Sequence, residues 1–121
     1  MKIGIAALVA GAGLLAATSA LAHHSFAMFD RDAKTVLVGT ISRFEWTNPH
    51  AFVEMDVPDA AGGSRRWSIE MNSPNNLKRT GWKSTSLKPG DKVSLTLNPL
   101  RSGEAGGLFV SVKLPDGTTL G

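Results

Sequence analysis

Cysteine and tyrosine are absent from the 121 residues, and aromatic side chains make up only 7% of them. Without cysteine there is no disulfide, no thiolate metal site and no cysteine nucleophile, whatever compartment the chain occupies. A strong excess of one charge is also missing. Thirteen Lys and Arg face ten Asp and Glu, too even a balance to argue for nucleic acid, so no nucleic-acid partner is expected. Catalytic vocabulary is thin: there is no Gly-x-Ser-x-Gly elbow and no carboxylate pair beyond Asp30 and Asp32, so an enzyme is not expected either.

One long uncharged run exists, Ile3 to Ala22, behind a positive tip at Lys2. Its length would span a bilayer. Alanine and glycine dominate it, however, and Ala20-Leu21-Ala22 closes it as a small-x-small exit. These are the parts of a secretory signal peptide. The expected layout is therefore a cleaved signal peptide over residues 1–22, an N-terminal segment over 23–33, and one β-barrel domain over 34–121. The mature chain would begin at His23, lie in the periplasm and keep no stable membrane anchor.

Past that point the periodicity is that of strands. Thr35–Trp46 is rich in β-branched and aromatic residues, with Gly39 suggesting a bulge or bend. Ala51, Val53, Met55 and Val57 alternate with Glu54 and Asp56; Trp67, Ile69 and Met71 alternate with Arg66, Ser68 and Glu70. Each pattern puts one face of an antiparallel pair in a core. The loop Pro58–Ser64 joins the two. Ser73 as N-cap, Pro74 at the first position and Gly81 as stop bracket a helix of two turns at most. Leu87-Lys88-Pro89-Gly90-Asp91 is a turn opening strand Lys92–Leu97, and after a loop from Pro99 to Gly107 the last strand is Leu108–Leu114. Five strands with one short helix between the third and fourth give an all-β fold, a small OB-like barrel; an SH3-like barrel gives a similar element order.

The three histidines fall in two places, His23-His24 and His50. Cleavage after Ala22 would free the α-amine of His23, so that amine and imidazole chelate a metal from one residue. A second imidazole, from His50 or His24, completes a histidine brace, a nitrogen set that suits Cu(II); the plainer reading is that His23-His24 is a polar, solvent-exposed start and that His50 caps its turn by bonding a backbone carbonyl. Asp30, Asp32 and Glu45 are available to orient an imidazole. Copper is therefore the expected cofactor, and the protein a metal carrier or an accessory to a periplasmic protein partner. A copper oxidase or oxygenase would need an open substrate surface as well, which so short a chain does not suggest. Met55, Trp67 and Met71 could hold Cu(I) at a barrel lip, but their alternation suits core packing. The competing reading is an interaction module without metal, whose face around Phe52, Trp67 and Met71 receives a peptide, a small apolar ligand or a partner subunit. The cations Arg65, Arg66, Lys78, Arg79, Lys83, Lys88 and Lys92 read as a solvated face.

The run His23-His24-Ser25-Phe26-Ala27-Met28-Phe29-Asp30, the string Phe44-Glu45-Trp46-Thr47-Asn48-Pro49-His50-Ala51, Ser73-Pro74-Asn75 with Gly81-Trp82, and the Leu87–Asp91 turn together resemble a family of small exported bacterial proteins of unknown function. That resemblance implies the periplasm and a single β domain. A weaker resemblance is to the periplasmic copper chaperone of copper/silver efflux systems, a five-stranded OB-type barrel binding Cu(I) through His, Met and a capping Trp. Trp67 and Met71 share a strand as in that pattern, but only one Met follows the Trp. The likeness therefore supports the fold rather than the site.

Overall fold

The computed structural model describes residues 26–121. The strands are β1 (Thr35–Glu45), β2 (Phe52–Pro58), β3 (Ser64–Glu70), β4 (Lys92–Pro99), β5 (Gly106–Lys113) and β6 (Thr119–Leu120), with helix α1 (Pro74–Arg79) between β3 and β4. They form one sheet in the order β3-β2-β1-β4-β5-β6, and a further pairing of β3 with β5 closes it. That closing seam is parallel, whereas β1–β2, β1–β4, β2–β3 and β4–β5 are antiparallel. The result is the closed five-stranded mixed barrel expected of the OB order, with β6 added as a short ribbon on β5.

Alternation decides what lies inside. Val53 pairs with Ile69 across β2–β3, Leu37 with Leu95 across β1–β4, and Leu95 with Val112 across β4–β5; all five are buried. Full burial of such a side chain stabilises by about 1.5–3 kcal/mol, so the barrel interior supplies most of the folding drive. Ser73 Oγ accepts the Asn76 N–H at 3.3 Å and starts α1 as its sequence predicts. Leu77 and Trp82 carry the helix and the turn after it into the same core. The Trp82 ring meets Phe109 edge-on at 5.3 Å and Phe44 at 6.0 Å.

Two details depart from the sequence reading. The register of β1 against β2 slips between Ile41 and Arg43, so the irregularity falls near Ser42, whose hydroxyl donates to the Glu54 carbonyl at 3.1 Å. Gly39 serves close approach instead, since a Cβ there would overlap the Asp56 carbonyl. Gly106 and Gly107 are strand rather than loop. A Cβ at Gly106 would press on Leu100 and the Ser68 carbonyl, and one at Gly107 on Asn98 and Leu97. Bare backbone is what lets β5 reach β3 and β4 at once.

The N-terminal segment is stitched to the barrel rim. Phe29 is buried and bridges Leu100. Asp30 N donates to Pro99 O at 2.9 Å and Arg101 N to Met28 O at 2.8 Å, while Arg101 Nε donates to Ala27 O at 3.1 Å. Asn98, the one buried polar side chain among the described residues, donates from Nδ2 to Ala33 O at 2.8 Å and to Arg31 O at 3.4 Å.

Candidate metal centre

His50 ends the loop Thr47-Asn48-Pro49-His50 between β1 and β2, and its backbone is held from both sides. Thr47 Oγ1 donates to His50 O at 3.0 Å; next to it, Ala51 N donates to Asn72 O at 3.1 Å and Met71 N to Ala51 O at 2.8 Å. The imidazole Nδ1 lies 2.8 Å from Met71 O. A carbonyl only accepts, so Nδ1 carries a proton, and of the two neutral tautomers this one has its lone pair at Nε2. Metal-binding histidines adopt this arrangement, one nitrogen on the metal and the other donating to a carbonyl or carboxylate.

Glu70, at the end of β3, faces that lone pair: Nε2 lies 4.0 Å from Glu70 Oε1, with side chains 31% and 18% exposed. This is too long for a hydrogen bond. Two donors on adjacent positions of one ion, with bonds of about 2.0–2.2 Å, stand roughly 3 Å apart, so the two side chains must close by about 1 Å to share an ion. Among the described residues no group of three or more His, Asp or Glu lies close enough to hold a metal.

The other ligands expected from sequence, His23 and His24, lie outside the described residues. The segment that follows them is placed, however. Met28 and Phe29 line a cleft of about 290 Å³ whose other walls include Phe52 and Glu70. His23 stands three positions ahead of Phe26, a distance the chain covers in about 10 Å at full extension.

The orienting groups differ from those expected. Glu45 is engaged by Arg43 at 3.1 Å, and Asp30 Oδ1 accepts the Asp32 N–H at 3.2 Å. Met71 O, with Glu70 opposite, takes the place assigned to them. Glu70 escaped the sequence reading because it is simply an outward position of an alternating strand; only the loop's return to β3 gives it a neighbour. Met55 and Met71 are buried at 0% and 2% exposure, so they pack the core as their alternation implied, and Met71 does not belong to an outer face. Trp67 is half-buried with the Arg65 guanidinium 5.7 Å from its ring.

The fold is that of the OB class. It is similar to the mitochondrial single-stranded DNA binding protein Rim1 of S. cerevisiae, at TM-score 0.50 and 13% identity over 69% of this chain and 94% of that one. A selenomethionine-labelled structure of Rim1 aligns at TM-score 0.47 and 13% identity over 69% and 93%. Within the sequences, a family of unknown function, DUF6152, matches residues 12–110, and the chain belongs to it. No curated protein matches. The expectation that nucleic acid has no part as a partner is corrected by the Rim1 likeness. Net charge was a poor ground for it, because single strands are bound on one face of an OB barrel by local groups that a near-neutral total conceals.

Proposed function

We propose that this barrel is an exported, periplasmic copper-binding domain without catalytic activity, serving as a metal carrier or as an accessory to a metal-dependent partner. The copper ligands are His23, through amine and imidazole, and His50 Nε2, with the Glu70 carboxylate at the same ion. The observation that carries this reading is the His50 ring itself, Nδ1 held by Met71 O at 2.8 Å and Nε2 turned to Glu70 at 4.0 Å. Imidazole, amine and carboxylate donors in a tetragonal set suit Cu(II), which stands highest in the divalent affinity order. The anchoring of Met28 and Phe29 beside Glu70 favours His50 over His24 as the second imidazole.

Cu(II) titrated into processed protein and followed by EPR is expected to give a nitrogen-rich tetragonal spectrum. His23→Ala, His50→Ala, or one extra residue ahead of His23 should each abolish it. Equal weak binding in all four samples overturns the proposal. Mass spectrometry of the exported protein is expected to find His23 first; any other start removes the amine from the chelate.

A further inference from the structure

The cleft beside Glu70 shares that carboxylate with the proposed copper site, but it also holds Phe52, Ser68 and Glu104, which that site does not use. Phe52 and Glu70, cross-strand partners of β2 and β3, line it with Ser68; Met28 and Leu100 supply apolar wall, and Glu104 comes from the β4–β5 loop. Its two carboxylates have no Lys or Arg beside them among the lining residues. Neither forms an ion pair with a Lys or Arg elsewhere among the described residues. Arg101, the cation nearest Glu104 in sequence, is held at Ala27 O. Apolar surface is also left uncovered here: Met28, in the cleft wall, is 49% exposed, one of the four large hydrophobics so exposed among the described residues.

An aromatic ring, a thioether and two carboxylates, Glu104 with no ion-pair partner among the described residues and Glu70 facing only the His50 imidazole, around about 290 Å³ match a long aliphatic stem ending in a cation. The stem lies on apolar wall while the head reaches the carboxylates and the ring face. We propose that this cleft docks a basic side chain, lysine or arginine, presented by an extended segment of a protein partner. The argument is charge complementarity within an apolar cleft and does not depend on metal. Glu70 is nevertheless common to both sites, so copper and the partner's cation compete for one carboxylate, and docking weakens the hold on the metal.

The test uses the mature protein in excess EDTA, so that its outcome is independent of copper, with Met28 and Phe52 side-chain resonances read by NMR. A capped alanine pentapeptide with a central lysine is expected to shift both sets of signals. The same peptide with norleucine should not. Glu104→Gln and Glu70→Gln should each weaken the lysine peptide by about tenfold, the scale of one charge-assisted contact, while a dispersed amide spectrum reports that the variants fold. No shift at millimolar peptide, equal shifts from the norleucine peptide, or unchanged affinity in both variants overturns the proposal. If n-butylammonium binds as tightly as the peptide, the cleft takes a small ammonium ligand and the partner segment is refuted.

Discussion

Gly107 has backbone where a methyl group would have to go. A Cβ there overlaps the Asn98 carbonyl, which lies in a strand and cannot swing away, so Gly107→Ala is expected to destabilise by about 1–3 kcal/mol, the usual cost of overpacking, read as a lower urea midpoint at unchanged m-value. Asn98 is the other position where a single side chain decides much. It is 8% exposed and holds Ala33 O and Arg31 O. Asn98→Ala should cost about 1–3 kcal/mol, measurable by the same titration.

At the scale of elements, the chain is most legible where turn chemistry is explicit. Ser73, Pro74 and Gly81 bracket α1 in the sequence, and the helix runs Pro74–Arg79 with Gly81 at φ +94°. Gly90, at φ +94°, likewise stands where the Pro-Gly turn requires it. Less legible was β6. It depends on a turn in which Asp116 Oδ1 accepts the Thr118 N–H at 2.8 Å, and that bond holds the Asp116 carboxyl below its ordinary range. Because the folded value is the lower one, the stabilisation is fully present above the ordinary carboxylate range and is lost as pH falls through the lowered value. An NMR titration should show the Thr118 amide shifting with Asp116, below the pH at which free aspartate titrates. Movement at the free-aspartate pH refutes the bond.

Over the whole molecule, one interior serves every element. Trp82, 1% exposed, joins the helix turn to β1 and β5 through Phe44 and Phe109. Trp82→Ala is expected to cost about 3–5 kcal/mol, a large part of the roughly 5–15 kcal/mol that holds a domain folded, and calorimetry should find the melting temperature lowered by more than 10 °C or so. No helix of the described residues is long and apolar enough to cross a membrane.

The sequence by itself determined the strands and their faces: period-two alternation names the inward positions, and Gly, Pro and Ser name the turns, because both signals act between near neighbours. His50 was visible as a candidate for the same reason, being a rare residue type at an evident turn. Only the tertiary structure decided that Nδ1 finds Met71 O, that Glu70 faces the remaining nitrogen, and that Gly106 and Gly107 are strand. These are contacts between segments far apart in the chain. The first two follow from the β2–β3 hairpin, which sets His50 beside Met71 and Glu70, and the third from the seam by which β5 reaches β3; register and closure belong to the assembled sheet, and no local pattern carries them.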